Sequence, residues 1–412
     1  MSRQVLVIGG GASGMMAAIT AASNGAKVTI LEHNDRIGKK ILSTGNGRCN
    51  FTNTNQHPDF YHSDNESFPW KVIQNFPVQK TIAFFTSLGV YSKNKNGYLY
   101  PFSEQASAML DVLRMEIERL GVHVLTEENV SSIQKKKHGF QVSSVFQGKK
   151  THIFSCDAVI LTTGSKAAAK LGSDGSGYGL AKQLGHHMIP VVPALVQLKC
   201  REAFYKALAG VRVHGKVSLY INKQLTACDT GEIQLTNYGI SGIPVFQVSR
   251  YAARGLYEKK AVTAALDFMP EFTKEQFFTF LQTRIQGHPE KTMETFFTGL
   301  FHKKISTILL KCADIPLQRC AGSLSEAELG RITEKVKEFT TEIISTNPFE
   351  QAQICAGGID TKEVSAATME SLLVKDLFFA GEILDVDGIC GGYNLQWAWS
   401  SGYLAGKGAS HA

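Results

Sequence analysis

Hydrophobic and polar positions follow two periods along this chain, and the changes between them mark out its elements. Val5–Ile8 is a continuous apolar run too short for a helix and reads as a buried strand. It breaks at glycines, and a helix with small residues at Ala18 and Ala22 follows. After Gly25 a second strand runs through Val28 and ends at the acid Glu32. Val78, Ile82, Phe85 and Leu88 fall at helical spacing. So do Ala106, Met109, Leu110, Leu113, Ile117 and Leu120, a stripe for which Ser103 is the expected N-cap. Asn96-Gly97, between Tyr91 and Tyr98–Tyr100, predicts a hairpin turn.

Short strands then crowd together at Val122–Leu125, Val130–Gln134, Phe140–Phe146 and Thr151–Phe154, before the very apolar Ala158–Leu161. Three antiparallel strands in place of a crossover helix are a specific topological signal. Pro190 and Pro193 mark an exit from this unit. Beyond them lie strand-like runs at Leu195–Lys199 and Val211–Ile221 and a turn-rich stretch, Asn237–Pro244. Helical periods are expected over Thr273–Lys311 and Ser325–Ile344. Ala356–Ile359 and Leu377–Ala380 return to the texture of the first unit. The predicted organisation is an α/β domain (1–190 and 356–412) interrupted by an insertion (191–355), with a β-barrel and a helical segment over about 270–345.

The glycines after the first strand carry the chemistry. They read Gly9-x-Gly11-x-x-Gly14, with the strand before, the small-residue helix after and Glu32 at the distance expected of a ribose ligand. Gly9 makes the turn, Gly11 admits a pyrophosphate to the backbone, and Gly14 lets helix and strand pack. Ala12 and Ser13 place first-turn N–H groups at the positive end of the helix dipole. This frame predicts a dinucleotide.

Three further segments suit a long, two-ended cofactor. Ser43–Asn50 is a glycine-rich loop with a guanidinium, able to form a nest from Thr44, Gly45, Arg48, Cys49 and Asn50. Thr162-Thr163-Gly164 ends a buried strand. Gly381-Glu382 follows another, and Gly391-Gly392-Tyr393-Asn394 opens a helix whose positive end suits the pyrimidine side of a reduced flavin. Lys40 and Val130 complete the expected cofactor set. Four such segments in this order favour FAD, bound non-covalently, over NAD alone. Gly172–Gly177 is glycine-rich, but no strand and acid frame it, so no dedicated NAD(P)H domain is expected and the nicotinamide is a transient visitor.

The chain resembles the bacterial NAD(P)/FAD-dependent oxidoreductases related to BaiN-type bile-acid reductases and RdsA-type ribosomal RNA dihydrouridine synthases. The residues that carry the resemblance are the N-terminal fingerprint, Thr44-Gly-Asn-Gly-Arg-Cys-Asn-Phe-Thr-Asn53, Gly231–Pro244, and Phe379-Ala-Gly-Glu382 through Gly391–Ser400. It implies a glutathione-reductase-like FAD-binding Rossmann domain with a β-meander crossover and an inserted β-barrel plus helices. It also implies FAD reduced by NAD(P)H, and reduction of an activated C=C bond in a small enone or in a uracil of ribosomal RNA. Disulfide reductases of this fold carry two cysteines close in sequence beside the flavin. Here Cys49 has no second cysteine until Cys156, so a redox disulfide is not expected. Cys49 and Cys390 stand as weak catalytic candidates, with packing the plainer role.

Composition narrows the classes. At 412 residues with 43% hydrophobic, the chain can bury a large core, and no run approaches the about 18 apolar residues of a membrane span. Eight scattered cysteines without a CxxC pair argue against a disulfide framework and a zinc site. His186-His187 lack companions at ligand spacing, so no metal is expected. With no leader visible before the glycines, the expected location is the cytoplasm. The net charge of +7 and cations such as Arg250 and Arg254, interleaved with Tyr238, Tyr251 and Tyr257, leave ribosomal RNA open as a partner. Two other readings stay open. One is a non-catalytic flavoprotein acting as an RNA-binding or assembly factor, and the other an FAD-dependent amine or hydroxy-acid oxidase.

Overall fold

The computed structural model describes residues 2–411 and divides into two compact units, 2–191 with 349–411, and 192–348. The first is built on a five-stranded sheet. Its order is Leu377–Phe379, Ala158–Leu161, Gln4–Ile8, Lys27–Leu31 and His123–Leu125, and every neighbouring pair is parallel. Central strands of such a sheet are covered on both faces, which is why Val5–Ile8 and Ala158–Leu161 are apolar throughout and buried. Between His123–Leu125 and Ala158–Leu161 the chain forms an antiparallel sheet of Glu128–Lys135, Phe140–Phe146 and Lys150–Cys156, the expected meander.

Two helices pack closely in this unit, Ala12–Ser23 and Tyr393–Ser410. Glycines make the contact possible. A β-carbon on Gly402 would sit 2.5 Å from the Ser13 carbonyl oxygen, and one on Gly406 would sit 2.3 Å from that of Ala17. The long helix is also an anchor. Trp397 Nε1 donates to the Gly381 carbonyl at 3.0 Å, and Trp399 Nε1 to that of Phe51 at 2.9 Å. Gln396 accepts from Thr52 Oγ1 at 2.5 Å and donates to Thr81 Oγ1 at 2.9 Å. One helix, buried all round over this stretch, thus holds the loops that carry both halves of the expected site.

The second unit is a closed six-stranded barrel. Its order is Leu198–Cys200, Gly239–Gly242, Gln224–Leu235, Arg212–Ile221, Val262–Asp267 and Phe339–Thr346, and the last pairs back onto the first. Helices Ile243–Tyr257, Lys274–Gly287, Lys303–Cys312 and Glu326–Lys337 belong to the same unit. Capping boxes start two of them, Thr273 with Gln276 and Ser325 with Glu328.

Several boundaries differ from the sequence reading. The chain rejoins the first unit at 349, not 356, because Phe349–Gln351 packs beside Ala169–Leu171 and the Phe349 carbonyl accepts from Ala168 N at 2.9 Å. The helical segment stops at Lys337. Phe339–Thr346 buries Phe339, Thr341 and Ile343 alternately, a strand period that closes the barrel. Ser103 does not cap its helix, which starts at Ala106 after Gln105 in extended conformation. Residues 195–199 contribute only Leu198 and Lys199 to a strand.

Candidate functional site

The three fingerprint glycines stand in three different environments. Gly9 has φ +103°, and a β-carbon there would lie 2.6 Å from the Thr162 carbonyl oxygen. Gly14 is helical, but its β-carbon would lie 1.9 Å from the Gly9 carbonyl oxygen. Gly11 has an ordinary φ of −78°, and a β-carbon on it would meet no protein atom within 4 Å. Folding therefore needs glycine at 9 and 14 and imposes nothing at 11. The open space over Gly11 lies at the N-terminus of helix Ala12–Ser23, whose first-turn N–H groups have no intrahelical partner.

Glu32 is buried and already occupied by the protein. Its Oε2 accepts from Gly10 N at 2.8 Å, and its Oε1 accepts from Asn34 N at 2.8 Å and Asn34 Nδ2 at 2.7 Å. The acid expected to hold a ribose thus also braces the glycine turn. Strand Glu128–Lys135 comes alongside through Glu128 N, which donates to the Glu32 carbonyl at 2.9 Å. Two residues on, Val130 stands where the meander register shifts, a local bulge.

The loop over 39–50 has mixed helical handedness, with Gly45, Asn46, Gly47 and Cys49 at positive φ, the backbone pattern of an anion nest. Thr44 ties it through its carbonyl, which accepts from Cys49 N at 3.0 Å. The Asn50 side-chain oxygen is buried with no hydrogen-bond partner among the described residues. It lies 2.9 Å from where a β-carbon on Gly392 would stand, so this loop and the start of the last helix adjoin. Gly391, at φ +122°, is covered by Tyr98, whose Cε1 is 2.7 Å from that glycine's β-carbon position.

Thr163 presents a second buried hydroxyl without a partner among the described residues, and Gly164 follows at φ +74°. Ser13 Oγ reaches the Ala380 carbonyl at 3.4 Å, which brings Gly381 to the start of the first helix. Glu382 accepts from Lys40 Nζ at 2.8 Å, Ser165 Oγ at 2.8 Å and Cys355 N at 3.0 Å. Both expected polar residues, Lys40 and Glu382, therefore meet each other. The side chains of Tyr393 and Asn394 are engaged locally. The Tyr393 hydroxyl donates to the Asn55 carbonyl at 2.9 Å, and Asn394 Oδ1 accepts from Gly388 N at 2.8 Å. What these two can offer a ligand is backbone.

Cys49 is fully buried, and burial pushes its thiol up to about 11. A thiol so placed stays neutral at physiological pH. Cys390 is partly exposed. His186 and His187 both bond Glu363 through Nδ1, at 3.0 and 2.5 Å, and His186 Nε2 lies 2.9 Å from Ser371 Oγ. Among the described residues no group of three or more His, Cys, Asp or Glu side chains has the geometry to hold a metal.

Two features near the site escaped the sequence reading. Glu104 binds Lys93 at 2.5 Å and Lys95 at 2.8 Å and lies 3.7 Å from Arg48, which ties the hairpin to the nest loop. Only the excess of cations around one acid hinted at this. The other is Tyr178, which directly follows the glycine-rich Gly172–Gly177 stretch.

A glycine dictated by nothing in the protein, set in a strand–turn–helix frame, is matched across almost the whole chain by the HI0933-like protein Rossmann domain family, over residues 3–408. The chain belongs to that family. It is 46% identical over 406 residues, 98% of each chain, to a 3-dehydro-bile acid Δ(4,6)-reductase of Clostridium scindens. It is 29% identical to a ribosomal RNA dihydrouridine synthase of Haemophilus influenzae, over 97% of this chain and 96% of that one. Among solved structures, a 3-ketosteroid-Δ4-(5α)-dehydrogenase of Rhodococcus jostii RHA1 aligns with a TM-score of 0.51 at 15% identity, covering 100% of this chain and 97% of that one. That likeness speaks for the fold, a Rossmann FAD-binding architecture carrying a six-stranded barrel. No described helix is long and apolar enough to cross a membrane.

Proposed function

We propose that this chain is an FAD-dependent reductase of an activated C=C bond, that NAD(P)H is its electron source, and that its substrate is a small conjugated enone. The observation that supports the cofactor most is Gly11, where a β-carbon would meet no protein atom and would instead stand in open space at a helix N-terminus. The buried, unpartnered oxygens of Asn50 and Thr163 support the same reading, since polar atoms are rarely buried without a partner to come. FAD supplies two-electron hydride chemistry when bound.

The chain's own residues divide the remaining work. Gly11 and the amides of Ala12, Ser13 and Gly14 receive the pyrophosphate, and Glu32 receives a ribose while holding the turn. The nest around Thr44–Asn50 and the helix start at Gly391–Asn394 receive the ring. That helix terminus favours negative charge at the ring's pyrimidine side. Cys49, neutral and buried, excludes water there and takes no part in redox chemistry.

The enone is favoured over ribosomal RNA because several of the insertion's cations are paired with acids of the insertion itself. Arg201 pairs with Glu342, Arg212 with Glu232, Lys260 with Glu258, Lys303 with Glu294, and Arg319 with Glu328. A surface that tracks phosphates needs cations with charge to spare. The 46% identity to a bile-acid reductase points the same way. Anaerobic NADPH titration of the purified protein, followed by a 3-oxo-4-ene steroid, tests the proposal. Bleaching followed by substrate-dependent recovery of the flavin band is expected. Recovery driven only by an RNA fragment would transfer the activity to uracil.

A further inference from the structure

We propose that Tyr178 donates its phenolic hydrogen to an acceptor on the sugar–phosphate stretch of the bound dinucleotide. The inference rests on the reading of this unit as an FAD site. Tyr178 stands in helix Ser176–Gln183, its side chain is 6% exposed, and its hydroxyl has no hydrogen-bond partner among the described residues. A buried hydroxyl left so is costly unless a ligand completes it.

Its surroundings specify what is missing. The titratable groups close enough to act on the phenol electrostatically are Cys355, Glu382 and Asp385. Burial, with those neighbours adding to it, holds the phenol far above its ordinary range, so it is a donor at every working pH. Of the two carboxylates, Glu382 already accepts from Lys40, Ser165 and Cys355 N, and Asp385 Oδ2 from Ser63 Oγ and Asp64 N.

Tyr178 also adjoins the segments that carry the expected cofactor residues. The preceding Gly177 leaves no room for a side chain, because its β-carbon would lie 1.9 Å from Thr163 Oγ1 and 3.0 Å from Ile383 Cδ1. Thr163 is the second unpartnered buried hydroxyl, and Ile383 follows Glu382 directly. The start of the helix that carries Tyr178 thus packs against Thr163 and Ile383. An electron-rich ligand stretch of ribityl and phosphate oxygens would supply an acceptor to hydroxyls that bond to none among the described residues.

The test compares wild type with Tyr178→Phe, stripped of flavin and then titrated with FAD. Melting temperature and flavin fluorescence are the readouts. Removing an unsatisfied hydroxyl should leave the melting temperature of the stripped protein equal or higher. The FAD-induced rise should shrink, and the Kd for FAD should increase about tenfold, the order expected of one lost hydrogen bond. An unchanged FAD-induced rise and an unchanged Kd would overturn the inference. Wild-type protein that shows no FAD-induced rise would overturn the dinucleotide reading itself, and the comparison separates the two failures.

Discussion

Lys40 Nζ and Glu382 Oε2 lie 2.8 Å apart although 342 positions separate them in the chain. The pair joins the loop after the first βαβ unit to the segment after the last strand of the sheet. Ser165 and Cys355 N add two further donors to the same carboxylate, so it is satisfied in the absence of any ligand. Lys40→Met leaves a partly buried carboxylate short of its cation and should destabilise the protein by about 1–3 kcal/mol. Urea unfolding measures the loss. Glu382→Gln should lose less, because an amide still accepts from Ser165 and the Cys355 N–H.

Gly11→Val and Gly14→Val should fail in opposite ways. At 11 the valine β-carbon enters open space, so the protein should fold with near wild-type urea stability and bind no flavin. At 14 its β-carbon collides with the Gly9 carbonyl, and the strain should cost more than about 3 kcal/mol, as overpacking of a rigid backbone contact does. Equal stability losses in the two variants would show that Gly11 is structural after all.

Much of this was legible beforehand, and the parts that were not have physical reasons. Val5–Ile8, the glycine turn and Asn96-Gly97 are local signals, and local signals survive into the fold. Phe339–Thr346 was misread because Val336, Phe339 and Ile343 also fit a helical spacing. Pairing with Leu198–Cys200 and Val262–Asp267, long-range partners, settles it as strand. Ser103 was a plausible cap by type, but Glu104 takes a positive φ of 51° to reach Lys93 and Lys95, and the helix starts later. The role of Gln396, Trp397 and Trp399 as anchors lay outside local reach, since each partner is more than 15 positions away.

The Glu104 cluster carries a pH dependence. The Lys93 and Lys95 hydrogen bonds hold its carboxyl down to about 2, below the ordinary 4.5. A depressed carboxylate contributes stability that is complete above 4.5 and disappears as pH falls through about 2. Wild type should lose stability across that window faster than Glu104→Gln. Circular dichroism melts at pH 5, 4, 3 and 2 give the two slopes, and parallel slopes would show that the cluster contributes nothing.

The thiols separate by burial. Cys228 and Cys320 are exposed, whereas Cys49, Cys156, Cys200 and Cys355 are buried, and burial raises the last four to about 11, 12, 11 and 11. A chromogenic thiol reagent at pH 8 should modify Cys228 and Cys320 rapidly in the native protein and the four buried thiols only on unfolding. Cys49→Ser should keep bound flavin and leave its reduction rate within about tenfold, since one kcal/mol or so of lost packing is the main effect. Rapid native labelling of Cys49 would contradict its assignment as a packing residue.

The central claim is that a cofactor held by Gly11 and the two loops delivers electrons to a conjugated double bond. Anaerobic stopped-flow tests it most directly, with NADPH-reduced holoenzyme mixed against a 3-oxo-4-ene steroid and the absorption band of the oxidised flavin followed. The expected result is reoxidation whose rate rises with steroid concentration, with one saturated product formed per flavin. Reduced flavin that waits unchanged for the steroid, yet reoxidises promptly when oxygen is admitted, would contradict the claim and identify an oxidase instead.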